Sequence, residues 1–173
     1  MTLHELNILP KQQLIEELTK CCGSSVWVNK MLAFFPADDL VELLEDAEEQ
    51  WYECNEEDWK EAFAHHPEIG DIESLKKKFV STAHPIAIGW ASDEQSAVSN
   101  ASQQTIEALA EGNRLYKEKF GYIFIVYATG RSAEEILTIL QTRLQNNPEV
   151  EIEIAADEQN KITKLRLEKL LDS

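Results

Sequence analysis

Apolar residues recur at helical spacing along most of the chain. Leu14, Ile15, Leu18 and Cys22 fall at i, i+1, i+4 and i+8. Leu40, Leu44, Ala47, Trp51 and Cys54 form a longer stripe within DDLVELLEDAEEQWYEC, with acidic residues on the opposite side. Ile72, Leu75 and Phe79 repeat the pattern, as do Ile136, Leu137, Leu140 and Leu144. Each stripe reads as the core-facing side of an amphipathic helix. The breaks between stripes carry helix punctuation. Gly23-Ser24-Ser25 and Pro36-Ala37-Asp38 separate the early helices, and Asn55 with Asp58 approximates a capping box. In Asn147-Pro148-Glu149, a cap is followed by proline at the first helical position and an acid that suits the positive helix end.

Two stretches resist an all-helical reading. YIFIVYA (Tyr122–Ala128) is β-branched and aromatic, and propensity alone makes it a buried strand. EVEIEI (Glu149–Ile154) alternates with period two, yet Val150 and Ile154 also sit at i and i+4, so strand and helix both stay open. Two short strands among so many helices make a poor sheet.

Composition narrows the function classes. At 173 residues the chain suits one domain. Its 32 acidic against 16 basic residues leave a net charge of −16, which repels nucleic acid and anionic membrane surfaces. The cluster Lys76-Lys77-Lys78 reads as a solvated helix face. No apolar run reaches the roughly 18–20 residues needed to span a bilayer, and MTLHELNILPKQQ lacks the features of a signal peptide. Three cysteines, two of them adjacent, do not make a disulfide framework, so a reducing cytoplasm is expected.

Three stretches carry candidate chemistry. In EAFAHHPEIGD, Trp59, Phe63 and His66 fall at i, i+4 and i+7, placing His66 on the buried side of a helix and His65 toward solvent. Pro67 disfavours helical backbone at its predecessor, so the helix should end near His66. A histidine beside the unsatisfied carbonyls of a helix end is biased toward acid–base behaviour near neutral pH. Taken alone, this is also what a helix–turn–helix corner looks like, with Gly70 in the turn and Asp71 capping the next helix. In WASDEQ (Trp90–Gln95), Ser92 and Gln95 form a capping box at a helix start, where Glu94 and Gln95 offer a carboxylate and an amide to a small polar molecule. In FGYIFIVYATGRS (Phe120–Ser132), an apolar run ending in Ala-Thr-Gly-Arg-Ser offers backbone amides to an anionic or amide-rich ligand. There is no G-x-S-x-G elbow, and His4, His65, His66, His84 and the cysteines lack zinc spacing, so no metal site is expected.

The order HPEIGD, an EQ helix start, then NRLYKEKFGYIFIVYATGRSAEEIL and a terminal KITKLRLEKLL resembles one family. It is that of the 2-oxo-4-hydroxy-4-carboxy-5-ureidoimidazoline (OHCU) decarboxylases of purine catabolism. Within it, Asn113, Tyr116, Phe120 and Gly121 make an N-x-x-Y-x-x-x-F-G pattern. The resemblance implies an all-α, single-domain helical bundle over residues 1–173, often a homodimer. It implies a cofactor-free carboxy-lyase that converts OHCU to (S)-allantoin and CO2 in urate degradation. YIFIVYA would then belong to a helical domain and line the pocket. Carried over by position, His66 is the catalytic histidine, and Pro67 stands beside it. Ala91, Ser92, Asp93, Glu94 and Gln95 form one substrate-contacting segment, with Glu94 also catalytic. Phe124, Ile125, Val126, Tyr127 and Ala128 form the other, acting through main-chain groups.

The chain departs from the pattern in three places. Ala91 stands where the family often has Ser, the spacer from His66 to Glu94 is longer than in animal members, and Thr129 replaces an Arg of those members. Arg131 is placed to take over anion binding. Against the decarboxylase stand two alternatives: a paralogue acting on another ureido or imidazoline acid, and a non-catalytic helical interaction module.

Overall fold

The computed structural model describes residues 1–67 and 103–172. Among them the chain is all-α, with eight α-helices, one 3₁₀ turn and no strand. The helices are α1 (Leu3–Asn7), α2 (Lys11–Cys21), α3 (Ser25–Met31), α4 (Leu40–Tyr52), α5 (Glu56–Ala64), α6 (Gln103–Phe120), α7 (Ala133–Arg143) and α8 (Pro148–Asp172). They fall into two compact units, Met1–His65 with Ala156–Ser173, and His66–Ala155.

In the first unit, local sequence sets where helices begin. Ser24 accepts from the Trp27 N–H to start α3, and Asp39 accepts from the Glu42 N–H to start α4. Asn55 and Asp58 complete a reciprocal capping box at α5, at 3.0 Å in both directions. Asn7 clasps the turn before α4 by exchanging two hydrogen bonds with the Ala37 backbone, each 2.9 Å. The core holds Trp27, Trp51, Phe63, Leu6, Leu18, Met31 and Leu43, all fully buried. Burying side chains of this size stabilises by about 1.5–3 kcal/mol each. Indole N–H groups cannot be left unpaired in such a core. Trp27 donates to the Ala47 carbonyl (2.9 Å), Trp51 to that of Ala156 (2.9 Å), and Trp59 to that of Trp51 (3.0 Å).

The apolar stripes predict most of this packing, with one phase error. On α4 the buried positions are Leu43, Ala47, Gln50 and Trp51, followed by Cys54. Leu40 and Leu44 are only half-buried. The Leu43-Leu44 pair admits either phase from spacing alone, and packing selects Leu43. Cys21, Cys22 and Cys54 are buried and free. Burial is the chief cause that pushes their thiols up, to about 12, 12 and 11 respectively.

In the second unit, α6 and α7 pack together, with Gly112 of α6 against Leu140 of α7. A methyl group at Gly112 would lie 2.5 Å from Leu140 Cδ2, so glycine lets the Leu140 side chain sit against α6 without shifting. EVEIEI, open from its pattern, is helical. Pro148 is the first residue of α8, and the Asn147 carbonyl accepts from the Glu151 N–H at 2.9 Å. YIFIVYA is neither strand nor helix: residues 123–128 carry no regular secondary structure. Its strand propensity finds no partner strand among the described residues, and Gly121 (φ 85°) ends the preceding helix in a conformation that favours glycine. Gly70, Asp71, the Ile72–Leu75–Phe79 stripe, the Lys76–Lys78 triplet and His84 lie outside the described residues.

No helix among the described residues is long and apolar enough to cross a membrane.

Candidate functional site

The helix that leads to His66 is fixed at both ends by side chains. At its start stand the Asn55–Asp58 box and three acids in the first turn, Glu56, Glu57 and Asp58, which suit the positive helix end. Further on, Glu61 reaches α3, where its Oε1 accepts from the Ser25 N–H (2.5 Å) and from the Ser25 hydroxyl (2.9 Å). The final helical turn buries Ala62 and Phe63, and His65 forms the C-cap, its N–H donating to the Ala62 carbonyl at 3.2 Å. Gly23 leaves the space that the His65 side chain fills: a Cβ at Gly23 would overlap His65 Cβ and Cγ.

The two histidines part as their spacing predicts. His65 is exposed, whereas His66 is 7% exposed. Helix α5 ends at Ala64, two residues before His66, in keeping with the bias that Pro67 imposes on its predecessor. Pro67 itself is exposed.

The second candidate stretch is built differently. Between Gly121 and the Ser132 cap of α7 there is no helix or ladder among the described residues; the Arg131 N–H closes a turn on the Ala128 carbonyl at 3.1 Å, and side chains help to hold the path before it. Arg143, the last residue of α7, does this at the middle. Its Nη1 donates to the Ile125 carbonyl at 2.6 Å, and its Nη2 to the Tyr116 hydroxyl at 3.4 Å. Its Nε pairs with the Glu151 carboxylate. The guanidinium lies over the Phe124 ring, 4.6 Å from the centroid, and 5.8 Å from that of Tyr116. Arg143 is 5% exposed and Glu151 0%. Tyr116, Phe120, Tyr122 and Phe124 add an aromatic cluster, with Tyr116 meeting Tyr122 and Phe124 edge-on. Burial raises the Tyr116 phenol far above its ordinary value, so its hydroxyl stays protonated.

Along this stretch, Ile125 and Ala128 are buried, while Phe124, Val126 and Tyr127 are half-buried. Arg131 is partly exposed beside Gly130 (φ 75°). His66, Pro67 and Phe124–Ala128 belong to the same compact unit. Ala91, Ser92, Asp93, Glu94 and Gln95 lie outside the described residues. Arg143 and Glu151 are absent from the sequence-based site, although a signal for the arginine existed. Ile136, Leu140 and Arg143 fall at i, i+4 and i+7, the same spacing that singles out His66 after Trp59 and Phe63. A charged residue on an apolar stripe announces a buried partner.

Comparison with known proteins agrees with this architecture. The OHCU decarboxylase family matches residues 7–168. The uric acid degradation bifunctional protein TTL of Arabidopsis thaliana is 41% identical over 156 residues, which are 90% of this chain and 46% of that protein. The chain thus spans about half the length of that relative. A 2-oxo-4-hydroxy-4-carboxy-5-ureidoimidazoline decarboxylase of Haloferax volcanii is 24% identical over 171 residues, covering 96% of this chain and 94% of its own. Among solved structures, an OHCU decarboxylase crystallised in the presence of (S)-allantoin is 40% identical with a TM-score of 0.71, covering 91% of this chain and 98% of that one. With the family matched over nearly its whole length and the same helical fold in a solved relative, this chain belongs to the OHCU decarboxylase family.

Proposed function

We propose that the chain decarboxylates OHCU to (S)-allantoin and CO2, without a cofactor, with residues 1–173 serving as one catalytic domain in urate degradation. The observation that carries this reading is His66: a buried imidazole just past the end of α5, followed by Pro67, in a member of this family. In the proposed reaction the bond from C4 to the carboxylate breaks, CO2 leaves, and the electron pair passes into the conjugated ring. His66 then manages the proton that replaces the carboxylate, and delivery to one face yields one enantiomer. Glu94 orients the substrate hydroxyl or His66. The Gln95 amide and the main chain of Ala91–Gln95 and Phe124–Ala128 pair with the ring and ureido N–H and C=O groups. Ring anchoring leaves the carboxylate in a less solvated region, where loss of its charge is eased. Arg131 assists the anionic end of the substrate. The proposed setting is the cytoplasm, with a homodimer as the working form.

The test supplies fresh OHCU, made by urate oxidase and the following hydrolase, and follows the product by circular dichroism. Rapid appearance of optically active allantoin is expected. Racemic product at the spontaneous rate would overturn the reading. His66→Asn should lower kcat by about 10²–10⁴-fold with the fold retained, and an unchanged stereospecific rate would remove His66 from the mechanism.

A further inference from the structure

We propose that Arg143 is a positioning residue for the substrate-contacting stretch Phe124–Ala128, held in its own place by Glu151. The inference deepens the decarboxylase reading and rests on it.

The stretch has a problem that helices do not have. A helix fixes its own backbone through its ladder, whereas residues 123–128 have none, so their main-chain groups face a ligand reproducibly only if something outside holds them. Arg143 supplies one hydrogen bond at the centre of the stretch, to the Ile125 carbonyl (2.6 Å), and one planar contact beside it, on the Phe124 ring. Ile125 is thereby an anchor. Ile125 is 2% exposed and its carbonyl is occupied by a charged donor, while Val126 and Tyr127 beside it are half-buried.

The guanidinium is fixed from three sides. Nε is held by Glu151 in the first turn of α8, a helix start made rigid by Pro148. Nη2 reaches Tyr116 on α6, and the side chain itself springs from the last turn of α7. A pair serving only to join α7 to α8 would need no donor on Ile125. A planar fork with separate donors meets all three partners at once, which the single ammonium of lysine cannot do.

The experiment measures OHCU decarboxylation by the whole chain and by Arg143→Lys, which keeps the charge beside Glu151 and loses the fork. The expected result is a KM about tenfold higher with kcat within about threefold, because binding alignment is lost while the chemical group is untouched. The pH dependence of kcat should match that of the parent chain. A folded Arg143→Lys with the parent KM overturns the inference and leaves the decarboxylase reading standing. A parent chain with no stereospecific activity overturns both. Should Arg143→Lys fail to fold, Glu151→Gln replaces it under the same criteria: a raised KM supports the inference and a parent KM overturns it.

Discussion

The path into His66 and the path through Ile125 are fixed by opposite means. Leading to His66, nearly every constraint lies within about ten residues: the Asn55–Asp58 box, the acidic first turn, buried Phe63 and the proline that follows. Among the described residues, Gly23 and Ser25 reach in from afar. Around Ile125 the constraints come from 18 residues away at Arg143, and through it from Tyr116 and Glu151. A locally specified segment tolerates damage at any one contact. A segment tied to a buried guanidinium on another helix makes part of its order depend on that distant contact.

That contrast predicts an ordered set of effects. The largest should follow Glu151→Ala, which leaves the Arg143 charge buried without its carboxylate. Such a loss costs about 3–5 kcal/mol, and denaturant unfolding would show it as a lower midpoint. A change below about 1 kcal/mol would mean that the stretch is not hung on this pair. Next comes Gly23→Ala, whose methyl overlaps His65. Overpacking of this kind costs about 1–3 kcal/mol, and the histidine must move, which the NMR shifts of the His65 ring would register. Asn55→Ala removes one half of a cap and should cost about 1 kcal/mol, with little change in activity, because Phe63 and Glu61 still hold α5.

The smallest effect belongs to Glu48. Hydrogen bonds from Lys164 and then Asn160 hold its carboxyl below the ordinary value. Because the folded value is the lower one, its contribution is present above the unfolded value and fades as pH falls through the folded one. The side chain is 42% exposed, so Glu48→Gln should cost less than about 1 kcal/mol at neutral pH. Urea midpoints of parent and variant should draw together as pH falls through the lowered folded value.

The same contrast explains what was legible in the sequence. The helical stripes, the Asn55 cap, the Pro148 start and the separation of His66 from His65 all rest on local spacing and local chemistry, whereas the all-α class comes from the family resemblance. The path of YIFIVYA was not legible, because β-branched and aromatic residues signal burial on a pleated surface equally well when they pack around a non-regular chain. Arg143 carried a signal, its place on the Ile136–Leu140 stripe, but nothing local names its partners; Glu151 looks like an ordinary surface charge until α8 is seen beside Arg143. On α4, the run of two leucines hid which one faces inward.

The glycines that bracket the central stretch have a consequence of their own. At Gly23 and Gly112 the obstacle to a side chain is a neighbouring atom. At Gly121 and Gly130 nothing lies within 4 Å of where a Cβ would stand, yet φ is 85° and 75°. The penalty there comes from the residue's own backbone, whose carbonyl crowds the Cβ, and from no other residue: about 1–2 kcal/mol for a side chain in left-handed backbone. It therefore depends on the chemistry of the newcomer more than on its size. Asparagine, whose short amide eases that conformation, should be accepted at either position well before valine, which is little different in bulk.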